Sequence, residues 1–539
     1  MSEPLVYLKP NVVIEPLFDN WYAWPHLISP ATAAMNITGR HLKIINSYIQ
    51  APQIHAAAAK NPKMLGGPFM DFPSERVEEV KKLKQNTLTD QKDLIELSDA
   101  LKELDKLLQA KATGYSLQDL YDEVPEILKG YVELVYDLNN NPSYRIYESL
   151  LYKSKYYNPG GQSIALWVTE NDDRPFVLST PRLGDENAVQ LDIPFDHPVI
   201  DVLAKMKRNP GKKSEVKSLI DLDPKQEALF DTFFTEERFP TYAGYKGDKV
   251  KMRYFGHACI FIETQDVSIL VDPLISYYGY HHDVSRFSDA DLPDEIDYVL
   301  ITHNHQDHIL FETLLLLRHK VKNIIVPRCA RGVLQDPSLK LMFEQLGFDN
   351  ILELEEMESV NLPGCKIVGI PFVGEHADLD VRSKLCYQVK IEDFSMLFVA
   401  DSCIVEEMIY QHVRKEIGDV DVIFLGMECD GAPFTWLYGP LLTEELARDK
   451  DQSRRLSGSN YARGMKLVNV FNPKEVYVYA MGQEPWLEFI SSIKYTDESN
   501  PIVASNALVK ECENRGMIAE RLFGEKELLY SVKGDKLLQ

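Results

Sequence analysis

Apolar positions change their period near the middle of the chain. In the first half Leu94, Leu97, Leu101, Leu104 and Leu108 fall alternately three and four apart, which lines one face of a helix, with Thr89 as the expected N-cap and Gly114 after the last turn. A second helix is expected from Pro125, suited to a first helical turn, through Ile127, Leu128, Val132, Leu134, Val135 and Leu138. Strand-like runs at 164–169 and 176–178 make this half mixed α and β. Near the start stand Phe18, Trp21, Tyr22 and Trp24, aromatics whose large area assigns them to a core. A polar turn with two glycines at 242–248 marks a boundary. Beyond it come short β runs at 252–255, 259–263, 268–271, 298–301, 324–326, 366–370, 387–389, 396–399, 422–425 and 476–479, interleaved with helical segments such as 309–317. Strands alternating with helices describe an α/β fold in which two sheets pack face to face with helices outside. The expected organisation is an αβ/βα sandwich over 246–539, preceded by a mixed α+β domain over 1–245 that could serve as substrate lid, docking platform or homodimer interface.

The strand at 298–301 delivers the most informative stretch, T-H-N-H-Q-D-H from Thr302 to His308. Neighbouring side chains of so short a loop diverge, so His303, His305, Asp307 and His308 cannot all bind one ion. They divide between two, His303 and His305 facing one, Asp307 and His308 the other, the pattern of a binuclear metallo-β-lactamase-type site. Asp401 follows the apolar run M-L-F-V-A, so its carboxylate leaves the end of a strand and is placed to bridge two ions; its plainer role would be a helix cap. In G-E-H-A-D, Glu375 holds the place after Gly374 where hydrolases of this kind usually carry histidine, with His376 next to it as the competing ligand. The last histidine of the chain is His412, so the C-terminal histidine of such hydrolases is missing. Glu428, in G-M-E-C-D-G, is the acidic candidate for its place or for a supporting position, and a core carboxylate otherwise.

Composition narrows the setting. With 45% hydrophobic and 26% charged residues over 539 positions the chain reads as globular, and no apolar run approaches the ~20 residues of a membrane helix. The N-terminus shows no signal-peptide pattern, and the seven cysteines are odd in number and scattered, which points to reduced thiols in the cytoplasm. A formal charge of −24 argues against nucleic acid as a partner. Against that background Lys205, Lys207, Arg208, Lys212, Lys213 and Lys217 gather around Asn209-Pro210-Gly211, either a solvated turn or a docking point for an acidic partner.

H-N-H-Q-D-H, G-E-H-A-D and V-A-D-S, with the N-terminal L-K-P-N-V-V-I-E-P-L-F-D-N-W-Y-A-W, together resemble the di-iron β-hydroxylases of the chloramphenicol-biosynthesis type across essentially the whole chain. The resemblance implies two irons and O₂ acting on the β-carbon of an amino acid held as a thioester on a nonribosomal peptide synthetase carrier domain. It carries His303, His305, Asp307, His308, Glu375 and Asp401 over as iron ligands, with Glu375 and Asp401 closest to the chemistry. Carboxylate in place of imidazole makes a site harder and better suited to iron than to zinc. The chain shows no G-x-G-x-x-G nucleotide fingerprint, so electrons would come from a separate reductase. The competing readings are a di-zinc hydrolase, such as a lactonase or thioesterase, and a partner protein with a degenerate site.

Overall fold

The computed structural model describes residues 3–278 and 283–532. Val12–Phe18, buried along its whole length, pairs antiparallel with Gln162–Val168, which pairs in turn with Ala188–Leu191; Trp21–Tyr22 closes the other edge. This small sheet and the helices Val77–Asp90 and Lys92–Lys111 form the N-terminal half. The leucine stripe behaves as its spacing requires, since all five leucines are buried. Thr89 does not cap that helix. It lies in the last turn of the preceding one, where its hydroxyl donates to the Gln85 carbonyl, and Gln91 takes the cap position.

The second expected helix does not form. A single turn at Glu126–Leu128 ends at Lys129, whose ψ of 125° leaves the helical region; Gly130 follows at φ +82°, and Val132–Tyr136 then runs as a strand in a hairpin with Pro142–Ile146. Val132 and Leu134 are buried and Glu133 between them is not, so the period is two rather than 3.6. The run at 176–178 is a turn closed by the Thr180 amide on the Phe176 carbonyl, not a strand.

The second half is a sandwich of two seven-stranded sheets. One runs Ile351–Leu354, Val321–Pro327, Ile296–Leu300, Ser268–Val271, Ile260–Glu263, Val250–Tyr254, Lys526–Tyr530; the other runs Ser359–Leu362, Cys365–Pro371, Leu385–Ile391, Phe394–Phe398, Val422–Gly426, Glu475–Tyr479, Ile518–Arg521. Met252, Ile262, Ile269 and Leu300 from the first meet Tyr387, Met396, Phe398 and Tyr477 from the second in a buried inter-sheet core. Glu407–Ile417, Tyr461–Phe471 and Asn500–Asn514 cover the outer face of the second sheet. Phe311–Leu317 covers the first and is buried on all sides, because its far face packs on the N-terminal strand Val12–Phe18; one hydrophobic core therefore runs from the N-terminal half into the sandwich. Among the described residues no helix is long and apolar enough to cross a membrane, and all seven cysteines are free.

The basic turn belongs to that junction. The Lys207 ammonium is buried and donates to the Pro10 and Val12 carbonyls, 2.8 Å each, while Arg208 donates to the Leu292 and Tyr242 carbonyls. Lys213 and Lys217 pair with Asp231, and Lys212 with Glu215 at 3.3 Å; Lys205 is exposed. Docking through Lys207 and Arg208 is thereby corrected: both cations hold the chain's own backbone, and a partner cannot reach them.

Candidate metal centre

Every candidate ligand leaves the end of a strand on one rim of the sandwich. The loop 302–308 follows Ile296–Leu300, Glu375 follows Cys365–Pro371, and Asp401 follows Phe394–Phe398. Asp272, Glu375 and Ala400 take φ of +40°, +66° and +47° there, conformations that cost non-glycine residues roughly 1–3 kcal/mol each and are kept where side chains must be aimed. Gly374, at φ +75°, sits against Cys403, and a Cβ on it would lie 2.7 Å from the Cys403 Cβ, so no larger residue fits before Glu375.

The side chains converge in three overlapping groups. His303, His305 and Glu375 form one, His303, His308 and Asp401 a second, His257, Asp307 and His308 a third. His305 Nδ1 lies 2.9 Å from Glu375 Oε1, His308 Nε2 3.0 Å from Asp401 Oδ2, and His303 Nε2 3.9 Å from both Glu375 Oε2 and Asp401 Oδ2. Such separations suit donor atoms that share ions at roughly 2 Å. His303 Nε2 and Asp401 Oδ1 are buried and make no hydrogen bond among the described residues, which is a cost that bound cations would remove.

The hydrogen bonds assign the tautomers. Thr302 Oγ1 donates to Asp272 Oδ2 at 2.6 Å, so it accepts from His303 Nδ1–H at 3.0 Å, and His303 Nε2 keeps its lone pair for the site. His308 Nδ1–H donates to Asp272 Oδ2 at 2.8 Å, freeing Nε2. His305 Nε2 meets the Tyr438 hydroxyl at 3.4 Å, leaving Nδ1 toward Glu375. His257 is the exception. Its Nδ1 accepts the Gly482 amide at 3.1 Å, so Nε2 carries the proton and points it at Asp307 Oδ2, 3.5 Å away. In this orientation His257 supports Asp307 and offers no lone pair to an ion. Replacing Asp272 with alanine strips the acceptor from both His308 and Thr302; iron retention against a chelator is expected to fall about 10–100-fold, with folding intact by circular dichroism.

The electrostatics describe a cluster built for cations. Burial pushes the Asp401 carboxyl up and the His303 imidazole well down. Against the same burial, His305 and His376 hold the Glu375 carboxyl well below its usual range, and Asp401 and Asp272 hold His308 well above. His376 lies behind Glu375, its Nδ1 2.8 Å from Glu375 Oε2 and its ring stacked on His305, and burial lowers it to about 4. It belongs to none of the three groups.

Glu428 also stands outside them. It follows Val422–Gly426, accepts the Gly431 amide at 2.7 Å and the Tyr495 hydroxyl at 3.3 Å, and looks into a cavity of about 580 Å³ that opens onto His305, Asp307, Glu375 and Asp401. The far wall of that cavity is Met64, Leu65, Phe69 and Trp436, so the N-terminal half supplies part of the site. Sequence reasoning missed Asp272, the residue after the expected strand 268–271; its D-P step after an apolar run was the available signal. Tyr438 and His257 carried none, being single residues far from the loop they support.

A sandwich of this kind with an iron-type donor set and a dedicated N-terminal domain defines a class. The Diiron non-heme beta-hydroxylase N-terminal domain matches residues 7–238 and a Beta-lactamase superfamily domain matches 268–432. The chain belongs to the diiron non-heme β-hydroxylase family, oxygen-dependent oxidoreductases whose cofactor is a pair of irons. Within that family it is 38% identical over 524 residues, 96% of this chain and 98% of the other, to the 4-amino-L-phenylalanyl-[CmlP-peptidyl-carrier-protein] 3-hydroxylase of Streptomyces venezuelae. The crystal structure of CmlA, a diiron β-hydroxylase from the same organism, superposes with a TM-score of 0.92 at 36% identity, covering 98% of this chain and all of that one. A glutamate-to-aspartate variant of CmlA superposes at 0.89, covering 97% and 99%.

Proposed function

We propose that this enzyme hydroxylates the β-carbon of an aminoacyl group tethered as a thioester to a carrier domain of a nonribosomal peptide synthetase. In this reading His303, His305 and Glu375 hold one iron, Asp307 and His308 the other, and Asp401 lies between them. The observation that carries it is the set of unpartnered buried donor atoms facing a deep cavity with one apolar wall, together with a relative across the whole chain that acts on a carrier-bound amino acid. The pair of irons, when bound, supplies O₂ activation with electrons from a separate reductase. The protein's own part is placement. Trp436, whose indole donates to the Gly66 carbonyl at 2.9 Å, pins the strap 63–69 over the cavity; this wall orients the substrate and keeps bulk water from the reacting carbon. Tyr438 and Asp272 keep the histidines aimed through their hydrogen bonds.

Residues 1–245 act in this reading as the substrate-shaping domain of a catalytic domain at 246–539, and the enzyme works in the cytoplasm beside its synthetase and reductase. With Lys207 and Arg208 committed inside, Lys60 and Lys63 are exposed cations at the walls of the cavity and of its neighbour, where an acidic carrier delivering substrate would meet them. Reversing both to glutamate is expected to raise KM for the carrier-bound substrate about tenfold and to weaken its salt dependence, with iron content unchanged. The decisive experiment is intact-mass analysis of aminoacyl carrier proteins incubated with reduced enzyme and O₂. One added oxygen on the aminoacyl group supports the function, while loss of the acyl group without oxygen uptake would establish the hydrolase instead.

A further inference from the structure

Glu428 is an acidic side chain in the cavity wall that stands outside the three ligand groups. Four charged residues outside the three ligand groups and His257 line this cavity: Lys63, Glu428, Asp430 and Arg455. Lys63 is exposed on the strap. Asp430 accepts from the Asn500 amide at 3.1 Å. Arg455 is spent on the turn itself, donating to the Asp430 carbonyl at 2.7 Å, to the Gly431 carbonyl and to Gln452. It clamps the turn so that the Gly431 amide meets Glu428, but it does not pair with the Glu428 carboxylate. Among the described residues no cation lies within ion-pair distance of that carboxylate. Burial, with Asp401 and Asp430 nearby, pushes it up to about 8. Both oxygens of this half-buried carboxylate accept neutral hydrogen bonds, from Gly431 and Tyr495, but no cation offsets its charge when ionised.

We propose that Glu428 receives the α-ammonium of the aminoacyl group, so that the enzyme acts on an amino acid whose nitrogen is still free. This inference rests on the carrier-bound aminoacyl reading given above and names the group by which that substrate is recognised. Strands Phe394–Phe398 and Val422–Gly426 are adjacent and parallel, so Asp401 and Glu428 leave neighbouring strand ends in the same direction. Gly458 bridges the two: its amide donates to the Glu428 carbonyl at 2.7 Å, and a Cβ on it would lie 3.3 Å from that carbonyl and 3.4 Å from the Asp401 carbonyl. An ammonium seated on Glu428 therefore holds the β-carbon, two bonds away, beside Asp401 and the metal groups, while the side chain runs along Met64, Phe69 and Trp436. An acylated nitrogen has no charge to offer and would leave Glu428 with only its neutral partners, the Gly431 amide and the Tyr495 hydroxyl. Hydroxylation then precedes the condensation that acylates this nitrogen, and the supplying reaction is the loading of a free amino acid onto the carrier.

The test uses the iron-loaded enzyme and hydrolysis-resistant probes, phenylalanyl-pantetheine and leucyl-pantetheine joined through an amide, each beside its N-acetyl counterpart, with binding measured calorimetrically. The tighter free-amine probe is expected to bind about tenfold or more above its N-acetyl form, the size of one charge-assisted contact. Glu428→Gln should bring the pair to near equality with both irons retained, and Glu428→Asp should restore part of the difference. Equal affinities in the unaltered enzyme, or no binding of either free-amine probe, would overturn the proposal, and loss of an iron from Glu428→Gln would make this residue a ligand instead. None of these outcomes touches the mass-shift experiment, which tests hydroxylation itself.

Discussion

Asp401→Ala is expected to give a folded protein that retains well under half of the two irons per chain held by the unaltered enzyme, a larger loss than any other single ligand replacement. Asp401 is the one carboxylate of the cluster that reaches toward both sides: its Oδ2 lies 3.0 Å from His308 Nε2 and 3.9 Å from His303 Nε2, and His303 in turn shares a group with His305 and Glu375. Removing a terminal ligand weakens one ion, whereas removing a bridge also takes away the charge that lets two cations sit close together. Folding should survive because the strand end is held by backbone, the Val399 amide on Phe424, the Gly426 amide on Ala400, and the Tyr479 hydroxyl accepting the Ala400 amide at 3.0 Å. The readouts are iron per chain after desalting and the melting temperature with and without added iron. Iron stabilises the unaltered protein by mass action, and this gain should vanish in the variant. Two irons retained by Asp401→Ala would remove the bridge and reduce this residue to a support for His308.

The metal loop was legible because its chemistry is local: six consecutive positions carry four donors, and the apolar strand before them and helix after them are short-range patterns. The same holds for Glu375 and Asp401, each a carboxylate directly after an apolar run, and for the inner strands of both sheets. What failed was settled by contacts distant in sequence. The edge strands Ile351–Leu354, Ser359–Leu362 and Ile518–Arg521 alternate or carry charge and are too short to stand out, and Lys526–Tyr530 exists only by pairing with Val250–Tyr254 from the other end of the domain. Val132–Tyr136 reads equally as helix or strand until Lys129 and Gly130 break the turn before it. The cluster at 205–217 showed its charge but not its burial, since the Lys207 ammonium is held by carbonyls of Pro10 and Val12 nearly two hundred residues away, separations that a local window cannot register.

The second large effect is expected at Glu375, on which the preference for iron turns. Glu375→His should still bind two metals, take up zinc relatively better, and lose hydroxylation by about 100-fold or more. Oε1 of Glu375 lies 2.9 Å from His305 Nδ1, and Oε2 lies 3.9 Å from His303 Nε2 and 2.8 Å from His376 Nδ1, so the carboxylate would offer an ion one oxygen or two, where an imidazole would offer a single nitrogen. The backbone tolerates the exchange, because histidine is among the residues that populate the left-handed region in which position 375 lies, at φ +66°. His376→Ala should behave differently. His376 stacks on His305 with ring centroids 4.4 Å apart and sets Nδ1 2.8 Å from Glu375 Oε2, so its loss loosens the packing behind Glu375 and removes one partner of that carboxylate, while the residues of the three ligand groups all remain. Metal analysis after growth in iron and in zinc, with O₂ consumption on carrier-bound substrate, separates the two variants. Normal hydroxylation by Glu375→His together with metal loss in His376→Ala would move the ligand one residue along the chain, and the argument from carboxylate hardness to iron at this position would go with it.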